Sequence, residues 1–314
     1  MLFYSTTLDG LQMGLCFAVL SLGMYISYAI LDFPDLTVDS TFPIGGVCCT
    51  ILMLRLGVPA LPAILLSFVA GFAAGAVTGF LHVRCRITKL LSAIIVMTGL
   101  LSVTLALTSL LSRNGQTTTI FSYRSENLVG LFNAEWIKAV PVAYREYVYL
   151  AILAVIVLAI KGLLDLFLKT KLGYMLRATG NNESLVVSLG KDVGAYKILG
   201  LALANGIVAV SGALYANLYM QYDNTSGSGK VVLSLASVII GLAVFARIPK
   251  LKDTTAVIFG ALVYSLCLNY LSIVDRNGIY LKLLNALLFA LILVFNEKLS
   301  TFRARGFSRK GASA

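Results

Sequence analysis

KTKLGYMLRATGNNESLVVSLGKDVGAYK, residues 169–197, is polar, basic and punctuated by glycine, and it lies between two long apolar runs, Tyr147–Leu168 and Ile198–Met220. A connection between neighbouring membrane helices needs only a few residues. This one occupies 29, and it reads as a short helix rather than as disorder. Asn181 or Asn182 can cap the first turn, and Glu183 follows where the helix dipole favours an acid. Ser184 to Leu189 form the body and Gly190 is a natural stop. Within a chain that is otherwise apolar, so long a structured polar insert predicts a docking element for a partner on the cytoplasmic side. The alternative is a merely solvated loop.

Working outward, the 314 residues are 59% hydrophobic and 12% charged, with mean hydropathy +0.90. A soluble domain carries roughly twice that charge. The apolar runs are continuous rather than alternating, which selects helices over a membrane barrel. The expected fold is therefore all-α, a polytopic transmembrane helical bundle. The net charge of +11 does not indicate nucleic acid, because Lys and Arg cluster in short loops between apolar runs. That is the pattern of cytoplasmic membrane loops. Residues 1–10 hold one charge, Asp9, and no basic leader, so the first apolar run is expected to be retained as a span.

About nine segments are expected: Leu11–Ile30, Phe42–Leu54, Leu61–Leu81, Leu90–Leu111, Tyr147–Leu168, Ile198–Met220, Val231–Phe245, Thr255–Val274 and Ile279–Phe295. Loops 83–89, 161–197 and 247–253 and the tail 297–314 carry 17 Lys and Arg, against 8 elsewhere. This places the C-terminus in the cytoplasm and, with nine spans, the N-terminus outside. The chain divides into one membrane domain, 1–296, with a cytoplasmic loop 170–197 and an external loop 112–146, and a basic tail, 297–314. Residues 31–41, LDFPDLTVDST, face inward by this topology yet hold three acids and no base, so the loop is expected to dip into the protein.

Two segments are short for a hydrocarbon core of about 30 Å. Phe42–Leu54 and Val231–Phe245 each follow a polar, turn-rich lead-in, DLTVDSTFPIGG and DNTSGSGK. Short segments of this kind in both halves suggest broken helices around a substrate path. Equally, the polar flanks could extend each into a tilted full span. Leu91-Ser92 with Gly99-Leu100 is echoed by Leu233-Ser234 with Gly241-Leu242, as an inverted repeat would give.

No catalytic constellation is evident. His82 is the only histidine, which excludes a metal site built on histidines, and five cysteines without CxxC spacing read as core thiols. TSGSGK at 225–230 lacks both the leading glycine and the Ser/Thr after lysine that a phosphate loop needs. Polar residues inside apolar runs usually face a bundle interior. They make Thr98, Asn205, Ser234 and Asn269 candidates for a translocation path. Asp35 and Asp39 join them as a possible proton or cation site; the alternative is that these acids cap a broken helix. Lys161, Asp165 and Lys169 are spaced for an ion-pair ladder. Gly71, Gly75 and Gly79 form a close-contact helix face, within the chain or between two copies.

LDFPDLTVDSTFPIGG, LGYMLRATGNNESLVVSLGKDVGAYK running into LANGIVAVSGALYA, and Gly241–Leu262 with Arg247, Lys250 and Lys252 resemble permease subunits of bacterial ABC importers. The resemblance is to the branched-chain amino acid and ribose permease family, and Asp35–Asp39 resembles its tryptophan/tyrosine-type subgroup. It implies a membrane subunit of an ATP-driven importer in the bacterial cytoplasmic membrane, moving an amino acid or related solute. It also implies a second permease copy or close relative, ATPase subunits that bind ATP and Mg, and an extracytoplasmic binding protein. No catalysis and no cofactor are expected in this chain. The ATPase would engage Gly180, Asn181, Asn182, Glu183, Ser184 and Gly190. The family's Glu-Ala-Ala has Gly six residues after Glu; here Gly190 follows Glu183 by seven, with Ser184-Leu185 in place of the alanines. The alternatives are a stand-alone carrier or channel using Asp35 and Asp39, and a membrane scaffold without transport.

Overall fold

The computed structural model describes residues 2–111, 121–122, 131–132, 137, 140–219, 221–222, 224–245, 248, 251–274, 283 and 285–294. Most of the loop 112–146 and all of the tail 297–314 lie outside these residues, as do Arg247 and Lys250. Eleven helices are described. They are α1 (Leu2–Met24), α2 (Val38–Leu56), α3 (Ala60–Val83), α4 (Lys89–Leu111), α5 (Val142–Leu168), α6 (Lys171–Asn181), α7 (Glu183–Ser188), α8 (Val193–Tyr219), α9 (Lys230–Val244), α10 (Asp253–Val274) and α11 (Asn285–Val294). One two-residue antiparallel ladder qualifies the all-helical expectation: β1 (Phe121–Ser122) pairs with β2 (Gln221–Tyr222) and ties the 112–146 loop to the α8–α9 connection.

Eight of these helices are long and apolar enough to cross a membrane, so the chain is a multi-pass helical membrane protein. The ninth expected segment corresponds in part to α11, a shorter apolar helix. α1 and α8 are the most enclosed. α4 and α5 are peripheral and turn Leu101, Val103, Leu158 and Leu163 outward, as lipid-facing helices do.

Glycine sets the packing of the centre. α3 runs antiparallel to α8 with Gly71, Gly75 and Gly79 in contact with the backbone at Asn205, Leu201 and Ile198 in turn. A Cβ at Gly71 or Gly75 would overlap a carbonyl oxygen of α8. The period-four stripe is thus a seam inside the chain. α2 runs parallel to α8, with Gly45 on Ala209, and α1 antiparallel to it, with Gly23 on Ala204. Only side-chain-free positions let backbones approach this closely. Cys16 and Cys49 are core thiols as expected, whereas Cys85 and Cys267 are exposed.

Both short segments are longer than their apolar cores. α2 begins four residues early, at Val38, and carries Pro43 within it. α9 follows a 3-10 turn, Asn224–Gly227, and the two together make a 20-residue span, Thr225–Val244. The polar flanks do extend them, yet each starts inside the bundle. Thr41 contacts Asn205, near the middle of the 27-residue α8, so the first turn of α2 lies deep in the protein. α1 leads there through a π-helical turn, Tyr25–Ile30, closed by Leu31 N–H to Ile26 O at 3.0 Å.

Candidate interior site and docking segment

Two groups of residues stand out, one buried at the ends of α2 and α9 and one exposed on α6 and α7. The interior group begins with residues 31–37, which turn back into the bundle. Asp32 stays outside and pairs with Lys89 at 3.6 Å, but Asp35 and Thr37 are fully buried. Asn205 Nδ2 donates to Asp35 Oδ2 at 2.6 Å, and Thr37 N donates to Asp35 Oδ1 at 2.9 Å. Thr37 Oγ1 lies 2.5 Å from Asp35 Oδ1 and 3.1 Å from Asn205 Oδ1. One hydroxyl proton cannot serve two acceptors. A proton on Asp35 would close the ring, its O–H donating to Thr37 Oγ1 and leaving that hydroxyl to donate to Asn205 Oδ1. Among the described residues no cation lies within ion-pair distance of Asp35. Burial pushes its carboxyl above the usual carboxylate range, against the pull of its bonds from Thr37 and Asn205.

Asp39 has a different task. Its Oδ1 accepts from Val231 N at 2.7 Å and its Oδ2 from Gly229 N at 3.3 Å. The carboxylate of α2 therefore caps the N-terminus of α9, where orphan N–H groups and the helix dipole both favour an acid. The two short helices meet at this cap. Lys230, the next residue, reaches over three rings: Nζ lies 4.2 Å from the Phe17 centroid, 5.2 Å from Phe42 and 5.3 Å from Tyr215. These rings come from α1, α2 and α8, and such contacts contribute about 0.5–2 kcal/mol each. The sequence reading weighed Lys230 only as the lysine of TSGSGK and set it aside with that motif, because the rings it meets are scattered over three distant helices.

The remaining path candidates do not converge. Ser234 is buried, but its hydroxyl donates to Val231 O in its own first turn. Thr98 is exposed on α4 and bonds to Ile94 O and Ile95 O. Asn269 joins α10 to α1, with Nδ2 3.7 Å from Met13 Sδ. Gly99 has open space around it whereas Gly241 abuts Ala256, so the internal echo is not matched in packing.

The exposed group is built on two helices where the sequence reading expects one. Thr170 caps α6, its Oγ1 accepting from Gly173 N at 3.3 Å, and Gly173, Leu176 and Thr179 form the buried face. The signal was present: a threonine cap followed by buried positions at helical spacing. Asn182, rather than Asn181, separates the helices and caps α7, its Oδ1 accepting from Leu185 N at 3.2 Å and from Ser184 Oγ at 2.6 Å. Glu183 pairs with Lys197 at 2.6 Å. Gly190 takes a left-handed φ of +68° and ends the segment. Gly180 lies against the Ile30 carbonyl and Leu31, so α6 is pressed onto the end of the Tyr25–Ile30 turn with no side chain between. Leu185, Val187 and Leu189 are 49%, 64% and 53% exposed, while Val186 is buried.

Beside α6 lies a cleft of about 350 Å³ lined by Asp165, Lys169, Arg177, Lys252 and Asp253. Asp165 is its hub, paired with Lys161 at 3.1 Å and Lys252 at 2.8 Å and accepting from Thr254 Oγ1 at 2.7 Å. The expected ladder is thus half formed: Lys252 on the α9–α10 connection takes the place of Lys169.

Comparison with known proteins completes the picture. Residues 6–296 match the family described as branched-chain amino acid transport system / permease component. The chain is 36% identical over 273 residues to the tyrosine transport system permease protein of Clostridioides difficile (strain R20291), covering 87% of this chain and 85% of the relative. It is 25% identical over 283 residues to the ribose import permease protein RbsC of Escherichia coli (strain K12), covering 90% and 82%. An uncharacterized protein of Rickettsia prowazekii (strain Madrid E), RP368, is 28% identical over 282 residues, covering 88% and 92%. No solved structure gives a significant match.

Proposed function

The chain belongs to the branched-chain amino acid transport system / permease component family, and on that premise we propose that it is the membrane subunit of an ATP-driven importer in the bacterial cytoplasmic membrane. Subunits of this kind move solute and catalyse nothing themselves. ATP and Mg are bound by separate ATPase subunits, which dock from the cytoplasm on α6 and α7. A second permease, identical or closely related, completes the pathway, and an extracytoplasmic binding protein delivers the solute. The N-terminus lies outside and the C-terminal tail, 297–314, in the cytoplasm.

One observation carries this reading: Leu185, Val187 and Leu189 are left uncovered on and just after α7, directly following α6, which Gly180 presses against the end of the Tyr25–Ile30 turn. Exposed apolar side chains grouped on a polar, basic segment favour a protein partner. Gly180 to Gly190, with Asn181, Asn182, Glu183 and Ser184, form the contact. Closure of the ATPase dimer would shift this segment and, through Ile30, the connection that carries Asp35. The permease pair would then rock between outward and inward openings, driven by differential affinity for the two states. The substrate class follows the tyrosine-transport relative: an amino acid or related compound.

Reconstitution decides between this reading and a stand-alone carrier using Asp35 and Asp39. The expected result is solute uptake that needs ATP, the ATPase subunits and the binding protein. Uptake by this chain alone under an ion gradient would establish the carrier. Glu183→Lys, which breaks the pair with Lys197, should impair uptake and leave solute capture by the binding protein intact.

A further inference from the structure

We propose that Lys230 and the rings around it are the point at which this permease recognises its solute, and that the solute carries a carboxylate and a planar ring. The inference rests on the importer reading and adds a site and a ligand chemistry to it.

Lys230 stands where the first turns of α2 and α9 meet, and its ammonium is held by the faces of Phe17, Phe42 and Tyr215. Ring faces attract a cation but accept its N–H donors poorly. The neighbouring carboxylate, Asp39, is turned to Gly229 N and Val231 N, and among the described residues no carboxylate oxygen lies within 4 Å of Lys230 Nζ. An ammonium inside a membrane bundle without a direct counter-ion is expensive. A solute carboxylate supplies both a direct counter-charge and acceptors for the ammonium N–H groups.

The ring is argued from what leads to the ammonium. Phe17 and Tyr215 are nearly parallel, 13° apart with centroids at 6.0 Å. Tyr215 and Tyr219 follow with centroids at 4.7 Å and planes 50° apart, and Tyr219, at the end of α8, is exposed. A flat solute ring can meet these faces and edges by offset or edge-to-face contact. A purely structural role for Lys230 would fasten α9 to α1, α2 and α8 without distinguishing solutes.

The test uses the permease assembled with its ATPase subunits in nanodiscs, without the binding protein. Binding of L-tyrosine, L-phenylalanine and L-tryptophan is measured against tyramine, phenethylamine and tryptamine, which lack only the carboxylate. At least one acid should bind tenfold or more tightly than its amine. Lys230→Gln should erase that ratio, and Lys230→Arg should keep most of it. Equal binding of acids and amines, no binding of any acid, or an unchanged ratio in Lys230→Gln overturns the proposal. The wild-type comparison stands even if the Gln variant fails to fold. ATP-dependent uptake by the wild-type assembly is scored separately, so failure here and failure of the importer reading are distinct results.

Discussion

The interior knot at Asp35 and the surface helix α7 are opposites in composition and placement. Asp35, Thr37, Thr41 and Asn205 are polar groups sunk among apolar helices, and every one has partners. Leu185, Val187 and Leu189 are apolar groups on a polar segment, and they are left uncovered. A buried polar group without a partner costs about 1–3 kcal/mol, so the first region is complete within this chain. An exposed apolar cluster is tolerated only at modest size and usually serves contact, so on the proposed reading the second is completed by the docked ATPase. On that reading the difference separates residues that hold the fold from residues that transmit to another subunit.

Substitutions can break or sharpen that contrast. The largest loss should come from the seam beneath the knot. Gly75→Leu drives a side chain into the Leu201 carbonyl, and no cooperative thermal transition should survive in detergent; Gly75→Ala should cost about 1–3 kcal/mol. Next is Asn205→Leu. It strips Asp35 Oδ2 of its donor, while Thr41 keeps its bond to Thr37 O, and should lower stability by about 1–3 kcal/mol, as read by denaturation. Asp35→Asn should be milder, about 1 kcal/mol, because an amide nitrogen cannot accept from Thr37 N–H.

Asp35→Asn also tests the proton. Burial raises the Asp35 carboxyl in the folded protein, so folding favours its neutral form. The unfolded chain ionises it in the ordinary carboxylate range. As pH rises through that range the wild type should lose stability, and the loss should stop once the folded group ionises too. The Asn variant should lack that slope in melting curves taken across acidic to neutral pH. Smallest in stability is Val187→Asp, expected within about 0.5 kcal/mol of wild type. Yet it should abolish ATP-driven uptake, and a variant that unfolds or transports normally would erase the contrast.

Much of this was legible in the sequence. The length and continuity of apolar runs gave the spanning helices, because a bilayer fixes how long such runs must be. Gly71, Gly75 and Gly79 announced a close contact through spacing alone, although their partner, α8, lies more than a hundred residues away. Asp39 was legible only as a choice between cap and cation site, since its acceptor role depends on Gly229 and Val231. Asp35 and Asn205 are 170 positions apart, and no local pattern couples them. Helix α6 escaped notice because its residues are too polar to register as a membrane segment, while its fold depends on Leu176 and Gly173 meeting the core. Thr98 lies apart from this interior group, because a hydroxyl that bonds its own helix can sit on an exposed face at little cost.

The meeting of Gly180 with Ile30 has a mechanical corollary. Two main chains in touch leave no pliable side chain to take up slack, so a shove on one arrives at the other undiminished. Ile30 stands five residues before Asp35, and the connection between them is a short turn in which Asp32 takes a left-handed φ of +51°. One methyl group at position 180 would act as a shim, resetting the clearance between α6 and the connection that carries Asp35.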